Sequence, residues 1–268
     1  IGCCCRNRRH LSNQMNPLQP FIDGPITHRT LHDVKAGRPE NSYEGLDAAI
    51  AQDLAVEIDL QLSSDGVPMV FHDYELDRLT AETGLIAART ATELQQIPLT
   101  GGTKPIPRFD EFMAHVAGRV PVLIELKDQD GAQGSKLSNL ESSACEIMRG
   151  YTGAVAVMSF NPDMIARCAM LAPDVPRGLV TDPFTADDWP EVDADRRAEL
   201  AKIPHYNLIG ATFISHNRAD LSSPRVAELK SQGATIFCWT VKSEAQEIAA
   251  RKVAHSITFE GYLPKGQA

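Results

Sequence analysis

The sequence predicts an α/β protein, a TIM (β/α)8 barrel with a small insertion after the third strand. Three observations carry that prediction. Past residue 20, apolar β-branched runs alternate with Ala-rich amphipathic segments, and repeated strand–helix units imply a parallel sheet with right-handed crossovers. About eight such units in about 250 residues is the size of one barrel. An open doubly wound sheet, the alternative, would carry a glycine-rich phosphate loop after its first strand, and none is visible there.

The first strand is expected at 25–29. A helix at 43–52 follows, with Asn41-Ser42 as its start signal, and a strand at 54–59 comes next. Only twelve residues, LQLSSDGVPMVF, then separate Asp59 from His72, too few to hold a helix. SSDG is a turn signal, so the chain is expected to descend in extended form, turn at Asp65-Gly66 and rise again as a strand at 67–72. Residues 74–105 lose the barrel periodicity and are punctuated by Gly84, Gly101, Gly102 and Pro105, which marks a rim insertion. Helices at 107–117, 136–150, 161–171, 193–202, 222–231 and 243–251 then alternate with strands at 120–126, 154–159, 177–181, 208–214, 234–240 and 255–259. Asn161-Pro162-Asp163 opens the helix at 161–171, and Ser243 with Glu247 opens the last. Nine strands compete for eight places, so one is expected at the rim, with 177–181 and 208–214 the least supported.

The chain has 268 residues, 43% of them apolar and 23% charged, enough for one large core. A formal charge of −9 argues against nucleic acid, which demands a basic face. No apolar run approaches the ~20 residues that span a bilayer. Cys3, Cys4 and Cys5 sit in an unusual N-terminal stretch, IGCCCRNRRHLSNQ. Cys145, Cys168 and Cys238 lie in apolar contexts at spacings that match no zinc or disulfide framework. They read as buried reduced thiols in a cytoplasmic protein. Residues 1–20 are set aside as a disordered or artefactual tail, with the natural start expected at Met15, and 21–268 is read as a single barrel domain.

The chemistry is expected where apolar runs end abruptly in charge. His28-Arg29 follows GPIT, Glu57 and Asp59 close LAVEID, His72-Asp73 follows VPMVF, and Glu125 and Lys127 follow VPVLI. Each dyad alone is common surface decoration; their joint occurrence describes one site built from strand tips. Side chains alternate along a strand, so Glu57 faces the same way as Asp59, and Glu125 the same way as Lys127. Three converging carboxylates would repel one another unless a cation sat between them. Oxygen ligands of this kind suit Mg2+ or Ca2+ rather than zinc. Arg29 offers a planar fork and Lys127 a point charge for phosphate oxygens. His28 and His72 titrate near neutrality and suit the acid and base of phosphodiester cleavage.

The run HRTLHDVKAGRPENSYEGLDAAIAQDLAVEIDLQLSSDGVPMVFHDYELDRLTAETG resembles the N-terminal half of glycerophosphodiester phosphodiesterases. PIPRFDEF, VPVLIELK, SFNPD, FCWTV and ITFEGYLP continue that resemblance in order, from residue 26 to about 264. It implies a barrel with an insertion after the third strand, one divalent cation held by Glu57, Asp59 and Glu125, and an acid–base pair of His28 and His72. It implies phosphate binding by Arg29 and Lys127, a place on the site for Asn41 of PENS, and a glycerol pocket walled by Phe160 and Trp239. The implied reaction is hydrolysis of small-molecule glycerophosphodiesters to sn-glycerol 3-phosphate and an alcohol. Whether water or the neighbouring glycerol hydroxyl attacks stays open, as does which histidine is acid and which is base. Two other readings are a lysophospholipase D-like lipid phosphodiesterase and a non-catalytic anion-binding barrel. Two residues depart from the family pattern. Thr30 stands where the family carries Gly, a strained choice if that position needs a positive φ. Glu260 stands near the place of a family Asp and is expected to take its structural role. His32, His115, His205, His216 and His255 are read as solvated, capping or rim residues.

Overall fold

A computed structural model describes residues 16–265. Cys3, Cys4, Cys5 and Met15 lie outside the described residues. Ordered structure begins ahead of the boundary read at residue 21: Leu18 is buried beside Phe21 of the short helix α1 (Gln19–Ile22).

Among the described residues, eight parallel strands close into a barrel. They are β1 (Ile26–Thr27), β2 (Ala55–Leu62), β4 (Val122–Leu126), β5 (Val155–Ser159), β6 (Arg177–Thr181), β7 (Phe213–Asn217), β8 (Thr235–Val241) and β9 (Ser256–Phe259). Each pairs with the next, and β9 pairs back with β1. Helices α2 (Tyr43–Ile50), α4 (Phe109–Val116), α5 (Leu140–Gly150), α6 (Pro162–Leu171), α7 (Ala194–Leu200), α8 (Pro224–Ser231) and α9 (Glu244–Ala250) lie between strands. Several start as their sequences require. Ser42 accepts from the Gly45 amide, Asn161 accepts from the Asp163 amide ahead of Pro162, and Ser243 accepts from the Gln246 amide.

The ninth strand, β3 (Pro68–Val70), corrects two expectations. It pairs antiparallel with β2, through Leu60 with Val70 and Leu62 with Pro68. The chain therefore climbs past the barrel on the long β2, turns at Asp65-Gly66 and descends on β3, the reverse of the expected course. It is β3 that stands at the rim, whereas 177–181 is a barrel strand and 208–214 is displaced to Phe213–Asn217. His72 still reaches the mouth because the hairpin returns to it: the Phe71 amide donates to the Asp59 carbonyl at 2.9 Å. Residues 74–105 then fold over the hairpin. Helix α3 (Ala91–Leu94) carries a Thr90–Glu93 capping box, and Leu76, Ile86, Leu94 and Leu99 pack on Met69 and Phe71 of the β3 segment.

Strand alternation divides the core in two. Outward residues such as Val56, Ile58, Ile124, Val157, Leu179, Ile214 and Ile257 pack against the helices. Inward residues Ile26, Ala55, Leu123, Ala156, Phe213 and Phe237 fill the floor, capped from below by Leu18 and Phe21. Gly178 makes room for Phe213, since a Cβ there would sit 2.4 Å from the Phe213 ring. One step up, the inward series turns charged on β2 and β4 and just past β1, and the candidate site begins. Cys145, Cys168 and Cys238 are buried free thiols.

Candidate active site

The inward residues one layer above the floor enclose a cavity of about 80 Å3 lined by His28, Arg29, Glu57, Asp59, His72, Glu125, Lys127, Phe160 and Trp239, among others. Nine of the ten sequence-nominated residues thus converge on one space. The tenth, Asn41, is fully buried behind the wall rather than on it. Its Nδ2 donates to Asp59 Oδ2 at 2.9 Å while its Oδ1 accepts from the Asp59 amide at 3.3 Å. It fixes the Asp59 rotamer, and its own backbone is held by the Arg29 carbonyl at 2.8 Å.

Glu57 and Asp59 share the inward face of β2, and Glu125 stands opposite Asp59 in the β2–β4 register. One carboxylate oxygen from each lies within 4.8 Å of the others, and all three residues are buried. Burial, reinforced by Asp59 and Glu125, pushes the Glu57 carboxyl well above its usual range. Burial also acts to raise Asp59, but Lys127, His72 and Arg29 more than offset it and hold that carboxyl far below. Lys127 Nζ bridges Asp59 Oδ1 at 2.7 Å and Glu125 Oε1. Burial acts against its charge, and these two carboxylates keep it a firm cation. The Arg29 amide donates to Glu57 Oε2 at 2.8 Å, so the same loop that presents the guanidinium also orients a carboxylate.

Both histidines have a carboxylate partner at Nδ1. His28 Nδ1 donates to Glu260 Oε2 at 2.5 Å, and His72 Nδ1 donates to Asp73 Oδ1 at 2.6 Å. An ionised carboxylate accepts only, so each ring keeps its Nε2 for the cavity. Burial pushes His28 down to about 4 despite Glu260. The His28 hydrogen bond leads the interactions that hold Glu260 far below the usual carboxylate range, and Lys242 adds an ion pair at 2.6 Å. Glu260 Oε2 also lies 3.4 Å from His32 Nε2.

A belt of charge around the rim is absent from the sequence reading. Arg29 Nη1 donates to Glu40 Oε1 at 2.9 Å. Arg78, from the insertion, donates to Glu40 at 2.8 and 2.9 Å and to Asp73 at 2.6 and 2.7 Å. Glu40 adjoins Asn41 in PENS and Arg78 sits in LDRLT, but lone loop charges carry no signal until the fold brings them together. The solvated or capping reading also fails for His216. It is buried between Thr181 Oγ1 at 2.8 Å and Asp220 Oδ2 at 3.1 Å. His255 caps a strand, its Nδ1 accepting from the Ile236 amide at 2.9 Å.

The profile of the glycerophosphoryl diester phosphodiesterase family matches residues 29–257, most of the chain. The chain belongs to that family. Its members are phosphoric diester hydrolases, and so is this protein. The glycerophosphodiester phosphodiesterase of Bacillus altitudinis is 25% identical over 221 residues, covering 79% of this chain and 84% of that one. The YhdW protein of Bacillus subtilis is 24% identical over 228 residues, covering 82% and 86%. Among solved structures, a phosphodiesterase of Oleispira antarctica in complex with its product sn-glycerol-3-phosphate is 21% identical. It superposes with a TM-score of 0.73 over 90% of this chain and 94% of that one.

The donor set fits a hard divalent cation. The three buried carboxylates are mutually repulsive, converge within 4.8 Å and bring no thiolate or imidazole into their cluster.

Proposed function

We propose that the protein hydrolyses glycerophosphodiesters to sn-glycerol 3-phosphate and an alcohol, using one divalent cation, Mg2+ or Ca2+, and the histidine pair His28 and His72. The observation that carries this is the convergence of Glu57, Asp59, Glu125, Arg29, Lys127 and both histidines on a single cavity.

Glu57, Asp59 and Glu125 hold the cation, which when bound neutralises phosphate charge and polarises the phosphorus centre. Arg29 and Lys127 take the remaining phosphate oxygens and stabilise charge that builds on them during displacement. His28 is neutral at pH 7, with Nδ1 occupied by Glu260, so its Nε2 takes the proton of the attacking hydroxyl. His72 is placed to protonate the departing alcohol. It lines the inner cavity and also an outer cleft of about 320 Å3, which shares Glu125, Lys127 and Phe160 with the inner one. A diester whose phosphate lies at the shared residues projects one alcohol inward and the other outward, past His72. The inner cavity of about 80 Å3 holds on the order of six water-sized groups, which suits a glycerol and not an acyl chain.

The test is release of sn-glycerol 3-phosphate from glycerophosphocholine, with Mg2+ or Ca2+ and with EDTA. Turnover that EDTA abolishes and either ion restores is the expected result. Absence of turnover with either ion refutes catalysis, and undiminished turnover in EDTA refutes the cation. Faster turnover of a lysophospholipid than of glycerophosphocholine would overturn the substrate assignment.

A further inference from the structure

The proposed mechanism leaves His32 unused. β1 and β9 pair in parallel, with Thr27 beside Phe259, so His28 and Glu260 leave the barrel side by side. Two left-handed residues follow His28, Arg29 and Thr30, and the next imidazole, His32, comes back to Glu260. Three ligand atoms result: His28 Nδ1, His32 Nε2 and Glu260 Oε2. They lie within 4.8 Å of one another, on half-buried side chains. The two rings are splayed rather than stacked, with centres 6.4 Å apart and planes at 61°. Lys242 holds the other carboxylate oxygen, Oε1, at 2.6 Å, which leaves Oε2 to the imidazoles. The His32 contact decides the reading. At 3.4 Å it is long for a hydrogen bond, yet it matches the spacing of about 3.3 Å between two ligands of a tetrahedral zinc with bonds of about 2.0–2.1 Å. The His28 contact, at 2.5 Å, needs the carboxylate to withdraw by less than about 1 Å. His32 and Glu260 also line an outer groove of about 600 Å3 with Leu31, Arg38 and Tyr262, which gives a cation its way in and water a fourth position.

We propose that His28, His32 and Glu260 form an inhibitory site for Zn2+, distinct from the three-carboxylate cluster. The two sets differ in hardness: two imidazoles with one carboxylate suit zinc, and three carboxylates suit Mg2+ or Ca2+. Inhibition follows from the single ring proton of neutral His28. With Glu260 as acceptor, that proton sits on Nδ1, and Nε2 offers its lone pair to the cavity. Zinc takes the Nδ1 lone pair, so the same proton moves to Nε2. The ring gains and loses no proton, but the nitrogen facing the reaction becomes a donor and no longer accepts one. Two cations stand nearby. Lys242 is 60% exposed and free to turn into solvent, and Glu40 and Asp59 balance the charge of Arg29. The loss of rate rests on the phosphodiesterase reading, with His28 as base; zinc binding does not.

The experiment titrates Zn2+ into the Mg2+-saturated wild type and His32→Gln, by calorimetry and by turnover of glycerophosphocholine. His32 is half-buried and makes one long hydrogen bond, so its replacement should leave the fold intact and turnover without zinc within about twofold. The wild type is expected to bind one Zn2+ that excess Mg2+ does not displace, and His32→Gln to bind it at least about tenfold more weakly. Saturating that site should slow the wild type by about 100-fold, the scale of a lost general base, and His32→Gln should need at least about tenfold more zinc for the same loss. Absence of such binding overturns the proposal. So does an affinity indifferent to His32→Gln, which would put the ion among Glu57, Asp59 and Glu125. Binding that depends on His32 and leaves the rate unchanged overturns the inhibition. If neither protein turns over without zinc, the phosphodiesterase reading fails, and the calorimetric comparison alone judges the site.

Discussion

Thr30 holds a left-handed backbone, φ +72°, directly after Arg29, which lines the cavity and shares the conformation at φ +50°. Such angles cost an L-residue about 1–2 kcal/mol. Thr30 is also fully buried, and its hydroxyl has no partner among the described residues. The sequence marked Thr30 as a departure but could not show what accommodates it. Gly45 does, since a Cβ there would lie 2.2 Å from Thr30 Oγ1. Thr30→Gly should therefore stabilise the protein by about 1 kcal/mol, raising Tm by about 2 °C, with the left-handed strain relieved and part of the gain lost to backbone entropy. Gly45→Ala should destabilise by about 2 kcal/mol or more from overpacking, and Thr30→Gly should rescue it; additive Tm changes in the double variant would break the link. The carboxylates make a second residue-scale prediction. Glu57→Gln preserves shape and removes a carboxyl whose charged form burial, Asp59 and Glu125 already disfavour. Mg2+ affinity measured by calorimetry should fall at least about tenfold, while Tm in EDTA should hold or rise. A fall in Tm without metal would mean that Glu57 is structural.

The rim hairpin shows what an element reading can and cannot reach. The short link between Asp59 and His72 revealed two extended segments with a turn, yet not which way they ran. Direction depends on β2 extending past the barrel, and a strand's apolar run looks the same whether its partner is parallel or antiparallel. The displacement of β7 has a similar cause, since YNLIGAT is apolar enough for a strand but is occupied by turns, and Phe213–Asn217 instead aligns with β6 and β8. The inward charges were legible because a two-residue period fixes their face whichever strand carries them. The Glu40–Arg78–Asp73 belt was not, because it joins three loops. Arg78 clasps the β1–α2 loop to the end of the hairpin and so holds Arg29 and His72 in position through their carboxylates. Arg78→Ala should lower kcat/KM by about tenfold or more through looser positioning. Stability should change by less than about 1 kcal/mol, as for other half-exposed pairs. Methylguanidine should restore part of the rate, and Arg78→Lys should not substitute for the two-pronged contact. A rate unaffected by Arg78→Ala would show the belt to be passive.

At the scale of the whole molecule, the barrel concentrates buried polar groups at one end, and its stability should record them through pH. His28 is the clearest case. Its ring is held neutral, with burial pushing it down to about 4 against about 6.5 in an unfolded chain. Between those values the unfolded state binds the proton that the folded state refuses, so ν_U exceeds ν_N and stability rises with pH. The contribution is fully present above about pH 6.5 and is lost as pH falls toward about 4, at most about 3 kcal/mol for a side chain only 16% exposed. His216, also lowered by burial, adds to the same limb. Thermal unfolding from pH 4 to 8 in EDTA should show Tm falling on the acid side, with a shallower fall in His28→Gln because its neutral amide no longer titrates. Mg2+ should raise Tm more at pH 8 than at pH 5, since the cation needs ionised carboxylates. An acid limb unchanged by His28→Gln would mean that burial does not depress the titration of the ring in the folded protein.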